Sequence, residues 1–248
     1  MTDVLGYRGV WGVLAPSTNT VVEPDFYRMA VPGVTAHVGR IHIHDQNLSN
    51  NDDFEGLLVQ IRQEIEAACD RVLTADPDYL VMGMSAETFW GGIEGATQFQ
   101  EHIESYTGKK LATGAEACRR ALEIFGAKRI AVVSPYQPIG DENVTRYFSE
   151  IGHEVVRIKG LRCPSANAIA RVDEETLRRT IEDELNGPDV DAIVQVGTNL
   201  SMVGLADELE QKLQKPVIAI NAATWWLALR ENGFTDQLTG FGALLRDH

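Results

Sequence analysis

Four short loops carry the polar residues on which chemistry could be built. Pro16-Ser-Thr-Asn-Thr20 offers Ser17, Thr18 and Asn19, two hydroxyls and an amide beside backbone N–H groups, a set suited to an anion. Three such groups exceed what one helix cap needs. Gly83-Met-Ser-Ala-Glu-Thr88 puts the hydroxyl of Ser85 two residues before the carboxyl of Glu87, and Phe89, Trp90 and the Gly91-Gly92 pair follow as an apolar wall and a turn. Ser134-Pro-Tyr-Gln-Pro138 adds the phenol of Tyr136, and Gly197-Thr-Asn-Leu-Ser201 adds Thr198 and Asn199. Structural roles compete at each loop: a cap by Ser85, Thr198 or Asn199, a solvent-facing Glu87, a packing Tyr136.

The loops come in matched pairs because the chain nearly repeats itself. Asp78-Tyr-Leu-Val-Met-Gly-Met-Ser85 is echoed by Asp191-Ala-Ile-Val-Gln-Val-Gly-Thr198, an acid opening an apolar run that ends in a small hydroxyl residue. Val13-Leu-Ala-Pro16 is echoed by Val132-Val-Ser-Pro135, with Glu23 and Glu142 at the same distance beyond each proline. Two similar halves facing each other would set Ser85 and Thr198 on opposite walls of one cleft.

The elements that must position these loops are legible as an alternation. Residues 10–15, 34–41, 79–84, 110–113, 130–134, 155–158, 192–196 and 217–221 read as strands, mostly continuous apolar runs of the kind buried on both faces of a parallel sheet. Residues 53–73 repeat apolar positions at the helical period. Helices are also expected over 115–125, 141–149, 201–213 and 224–232 and from Asp173 onward, two of them closed by Gly126 and Gly233. The predicted fold is α/β, two pseudo-symmetric doubly wound lobes, each with a four-stranded parallel sheet and the site between them. The expected lobes are residues 1–114 with 222–248, and residues 115–221. The helix after the fourth strand of each half is expected to cross and pack on the other lobe.

Composition excludes several classes. A formal net charge of -14 over 248 residues argues against nucleic acid, which needs clustered Lys and Arg. No 18-residue apolar run spans a membrane, and the first residues lack the basic and apolar regions of a signal peptide, so the expected location is cytoplasmic. Cys69, Cys118 and Cys163 form neither a disulfide framework nor a zinc pattern, and the first two read as core. His37, His42, His44 and Asp45 cluster, but no second cluster completes a metal site and none is expected. With no G-x-G-x-x-G, P-loop or G-x-S-x-G, no nucleotide cofactor or serine-hydrolase elbow is indicated. Trp225, Trp226 and their apolar helix suggest either a self-association surface, making a homo-oligomer, or a hinge between lobes.

Across the whole chain the sequence resembles the aspartate/glutamate racemase superfamily, and within it the arylmalonate decarboxylase and maleate cis-trans isomerase branch. The resemblance is carried by Pro16-Ser-Thr-Asn19, the strand ending at Ser85, Pro135-Tyr136, Cys163 through Asn167, Thr198-Asn199 and Pro216 through Asn221. It implies a cofactor-independent enzyme whose two strand-end cysteines move protons or attack carbon while polar loops hold a substrate carboxylate and stabilise an enediolate. On this chain it implies carboxylate binding by Asn19 and Tyr136, with help from Asn167.

The chain departs from that pattern at both cysteine positions, which read Ser85 and Thr198. A thiol is readily tuned into a base or nucleophile, whereas an aliphatic hydroxyl needs a separate base. Two-thiol racemisation and thiolate addition to a double bond are therefore disfavoured. Ser85 and Thr198 remain able to donate to developing negative charge. Glu87 is the first candidate proton carrier, its pKa raised by enclosure beside Phe89 and Trp90, and Cys163 the second.

The leading expectation is a cofactor-independent lyase or isomerase acting on a small carboxylate, or a related amide, through an enediolate-like intermediate, with deuterium exchange abolished by Glu87→Gln. The alternatives are a hydrolase or hydratase in which Glu87 activates water, and a non-catalytic protein that binds small carboxylates.

Overall fold

The apolar runs form strands because helices cover both faces of each central strand. In the computed structural model, which describes residues 3–248, β1 (Gly9–Pro16), β2 (Val34–Ile41), β3 (Tyr79–Met82) and β4 (Leu111–Ala112) make a parallel sheet in the order β2-β1-β3-β4. β5 (Arg129–Ser134), β6 (Glu154–Gly160), β7 (Ala192–Gln195) and β8 (Val217–Ala219) make a second parallel sheet in the order β6-β5-β7-β8. The orders are the same, so the repeat in the sequence is a repeat of topology. The acids that open the repeat explain why they recur. Asp78 Oδ2 accepts the N–H of Val10, and Asp191 Oδ2 accepts those of Lys128 and Arg129, so each carboxylate ties the approach to the third strand of its half to the start of the first.

The helices are α1 (Val22–Arg28), α2 (Asn51–Leu73), α3 (Ala86–Phe89), α4 (Gly92–Thr107), α5 (Gly114–Phe125), α6 (Pro138–Glu150), α7 (Ala166–Ile169), α8 (Glu174–Arg179) with a π-helical turn over Thr180–Leu185, α9 (Val203–Leu213), α10 (Ile220–Glu231) and α11 (Ala243–Asp247). α2 begins where the side chain of Asn50 accepts the N–H of Asp53, and it buries Phe54, Leu57, Leu58, Ile61, Ile65, Ala68, Cys69 and Val72 along one stripe. α5 is capped by Thr113 and closes on Gly126 at φ 64°, a left-handed position that suits glycine. Cys69 and Cys118 are core residues, fully buried.

Two expectations change. The last long helix starts at Ile220, four residues before the predicted Thr224, because the strand before it stops at Ala219. α4 was not delimited in the sequence; Gly91 and Gly92, at φ 77° and 69°, make the sharp turn that starts it.

α10 follows the second sheet yet packs on α1, β3 and β4 of the first, as the crossover expectation requires. α5, the matching helix of the first half, packs mainly on α10 and α3 and not on the second sheet, so the crossover expectation holds for α10 alone. Trp225 and Trp226 are buried, which corrects the idea that this helix offers a surface for self-association. Trp225 meets Trp11 and Phe26, each with ring centroids 4.9 Å apart, and its indole N–H donates to the carbonyl of Met29.

Candidate active site

The carboxyl ends of β1 and β3 meet those of β5 and β7 around one cavity of about 60 Å³, room for several waters at roughly 10–15 Å³ each on this measure or for one small acid. Ligands in parallel α/β sheets bind at such strand ends. Thr18, Asn19, Ser85, Tyr136, Thr198 and Asn199 supply the polar wall. Phe54, Leu57 and Ile61 of α2, with Ile43, Leu48, Met84 and Ile169, supply the apolar one. None of the lining residues carries an ionised side chain at neutral pH; only Tyr136 and Cys163 among them titrate.

A chain of hydrogen bonds joins the two halves. The N–H of Thr198 donates to Ser85 Oγ at 3.3 Å, Ser85 Oγ lies 2.6 Å from the Tyr136 hydroxyl, and that hydroxyl donates to the carbonyl of Val196 at 3.0 Å. With the phenolic hydrogen directed to Val196, the hydrogen of Ser85 points to the oxygen of Tyr136. Burial pushes the Tyr136 phenol up, so it stays protonated. Asn19 Nδ2 donates to Thr198 Oγ1 at 3.2 Å, which leaves the hydroxyl hydrogen of Thr198 free for a ligand. Ser85 and Thr198 therefore face each other across the repeat, and neither side chain caps a helix. Gly197 allows this approach: a Cβ there would come within 2.6 Å of the Pro135 ring.

The loops are held by matched arginines. Arg40 donates to the carbonyl of Asn19 at 2.8 Å and pairs with Glu23. Arg162 donates to the carbonyl of Tyr136 and pairs with Asp141 at 2.6 Å. The second partner is Asp141 and not the Glu142 that the repeat suggests.

The structure brings Thr18, Asn19, Ser85, Tyr136, Thr198 and Asn199 together, each with its own constraint. Asn19 also caps α1, its Oδ1 accepting the N–H groups of Val21 and Val22. Asn199 sits in the wall with both ends of its amide engaged, accepting from Thr20 and donating to Ala166.

Three expected residues lie elsewhere. Ser17 exchanges hydrogen bonds with both backbone groups of Ile43 and fixes that segment instead of facing the cavity. Asn167 donates from its backbone and its amide to Asp45, away from the lining. Glu87 is buried but outside the lining: α3 begins right after Ser85, so Ala86 takes the cavity side and one more helical step turns Glu87 toward α2. There Arg62 Nε lies 2.9 Å from Glu87 Oε1, in ion-pair contact without hydrogen-bond alignment. Burial pushes the Glu87 carboxyl up and Arg62 opposes it. The acid expected to carry the proton does not line the cavity.

Sequence reasoning missed the apolar half of the cavity. Phe54, Leu57 and Ile61 read as ordinary core positions of α2, and only the carboxyl-end placement of that stripe could have marked them. It also missed a buried pair behind the site: Asn221 Nδ2 donates both to Asp25 Oδ2 at 2.9 Å and to the carbonyl of Thr198 at 3.0 Å. His42 and His44 stand with ring centroids 4.9 Å apart, and no group of three metal-binding side chains forms among the described residues.

The family model for arylmalonate decarboxylase matches residues 52–245. The chain belongs to the arylmalonate decarboxylase family. Among curated relatives, this family member is 25% identical over 240 residues to maleate isomerase of Pseudomonas putida, covering 94% of this chain and 96% of that protein. It is 25% identical over 166 residues to arylmalonate decarboxylase of Bordetella bronchiseptica, covering 66% and 69%. Among solved structures, a cysteine-to-serine mutant of Nocardia farcinica maleate cis-trans isomerase, holding a covalently bound succinylcysteine intermediate, superposes with a TM-score of 0.86 at 20% identity over 96% of this chain and 98% of that one. Family membership supports an enzyme of isomerase or lyase type; a hydratase or a binding protein without chemistry is not favoured. No helix among the described residues is long and apolar enough to cross a membrane.

Proposed function

We propose that this chain is a cofactor-independent lyase or isomerase that acts on a small carboxylate through an enediolate-like intermediate, and that decarboxylation is its reaction. The cleft lies between the two lobes expected from the sequence, residues 1–114 with 222–248 and residues 115–221. One observation carries the reading: Ser85 and Thr198 meet in one cavity, 3.3 Å apart through a backbone N–H, amid side chains that bear no charge.

Negative charge that develops on a substrate oxygen there meets the Thr198 hydroxyl and the Asn19 amide. Apolar side chains make up the facing wall, so each donor counts for more than it would in bulk solution. Isomerisation or racemisation needs a base or a nucleophile to start. The wall offers hydroxyls at both strand ends and no ionised carboxylate or imidazole. Decarboxylation needs neither: the bond to the leaving carboxylate breaks heterolytically, carbon dioxide departs, and the electron pair is held as the enediolate of the remaining acid until a proton arrives. The apolar half of the cavity, Phe54 with Leu57 and Ile61, favours loss of charge from the substrate.

The test is proton NMR of the purified protein with phenylmalonate, methylmalonate and maleate in heavy water. Decarboxylation with one deuterium on the α-carbon is the expected result, slowed about 100-fold or more in Thr198→Val. Fumarate formed from maleate, without loss of carbon dioxide from either malonate, would turn the assignment to an isomerase. Water oxygen in the product would return it to hydration.

A further inference from the structure

We infer that Cys163 is the proton donor of this cavity, the group that quenches the carbanion. The inference rests on the decarboxylase reading. It comes from following the hydrogens of the polar wall, where Thr18 offers only an aliphatic hydroxyl and Asn19 only an amide, neither acidic enough to protonate carbon. The hydrogen of Tyr136 is directed to the carbonyl of Val196, and that of Ser85 to Tyr136, so both are engaged inside the protein. Asn199 donates to Ala166. The Thr198 hydroxyl, buried and with its own hydrogen free, is a good partner for a negatively charged oxygen but far too weak an acid to protonate carbon and recover. Glu87 is outside the lining.

Cys163 remains. It lines the same cavity, on the loop between β6 and α7, and its backbone is already used: its N–H donates to the carbonyl of Pro135 and its own carbonyl accepts from Gln137. What it has left for a ligand is the thiol. Burial pushes that thiol up to about 11, which keeps it protonated and suits a donor rather than a nucleophile. The protein thus carries its one cavity thiol on the loop after β6, while the ends of β3 and β7 carry the hydroxyls of Ser85 and Thr198.

The step balances. The carbon–carboxylate bond breaks, carbon dioxide leaves with neither added electrons nor a cofactor, and the electron pair stays on the α-carbon of the enediolate. The S–H bond of Cys163 then breaks, its proton forms the new C–H bond, and the thiolate takes a proton from solvent to reset.

The experiment compares wild type with Cys163→Ser, using phenylmalonate and methylmalonate as probes and following product by NMR. We expect kcat to fall about 100-fold or more with KM nearly unchanged. Iodoacetamide gives a second readout that needs no variant. It should alkylate Cys163 in preference to the core residues Cys69 and Cys118, and more slowly when phenylmalonate is present. Wild-type turnover that survives Cys163→Ser at full rate, or alkylation that phenylmalonate does not slow, overturns the assignment of Cys163 and leaves the decarboxylase reading standing. A wild-type protein that turns over neither malonate removes the decarboxylase reading and this inference with it.

Discussion

At the scale of single residues, the wall of the cavity is decided by which hydrogens are already engaged. Tyr136 is the centre of that arrangement: it takes the hydrogen of Ser85, gives its own to Val196, and packs its ring 5.3 Å from Phe54. Tyr136→Phe keeps the ring and removes the oxygen. The carbonyl of Val196 then loses a partner in a buried place, which costs about 1–3 kcal/mol, measurable as a lower midpoint in urea. The freed Ser85 hydroxyl reorients, and we expect kcat to fall while KM changes little. A variant as stable as wild type would mean that water replaces the phenol. Glu87 provides the contrasting case. Because it faces Arg62 and not the cavity, Glu87→Gln should leave kcat within about threefold of wild type, less than 1 kcal/mol of barrier. A loss of activity in Glu87→Gln with folding intact would bring back the sequence-based expectation that this acid carries the proton.

At the scale of elements, strand ends were legible and helix phases were not. The runs ending at Ser85 and Thr198 are apolar throughout, so where each stops is plain, and the repeat tells which ends must meet. Glu87 was misplaced because two residues of sequence cannot say that α3 starts at Ala86, and one helical step decides between cavity and α2. Ser17 and Asn167 failed for a related reason: a polar side chain in a loop satisfies the backbone or carboxylate it happens to meet, here Ile43 and Asp45, and neither is near in sequence. The junction of β8 with α10 hides a further consequence. Asn221 there joins the buried Asp25 of α1 to the strand end at Thr198. Burial pushes the Asp25 carboxyl up from 3.8 to about 6, against the opposing pull of Asn221 and Arg28. Between those values the folded chain holds a proton that the unfolded chain has released. Stability from this group is therefore present at the acid end and lost as pH rises through about 6, by at most roughly 3 kcal/mol. In urea melts from pH 4.5 to 7.5, wild type should lose roughly 2 kcal/mol more stability than Asp25→Asn, whose curve is flatter. Parallel curves would mean that Asp25 is ionised throughout.

At the scale of the whole molecule, two sheets of four strands would unfold as two units if nothing bound them, and a chain of 248 residues is above the size at which a single transition is the rule. α10 argues for one unit. It leaves the second sheet at Ala219 and buries its next ten residues, Ile220 to Leu229, against α1, α5 and the first sheet. Trp225 anchors it, wholly buried against Trp11 and Phe26 with its N–H 2.7 Å from the carbonyl of Met29. Trp225→Ala should lose about 3–5 kcal/mol, and because the helix belongs to both halves, that loss should appear across the entire protein. The measurement is thermal unfolding of wild type and variant by far-ultraviolet and near-ultraviolet circular dichroism together. Coincident single transitions, moved down as a block in the variant, are the expected result. Two transitions in Trp225→Ala, one of them at the wild-type temperature, would show that the second sheet stands without the first. The cleft between Ser85 and Thr198 would then owe its width to something other than α10.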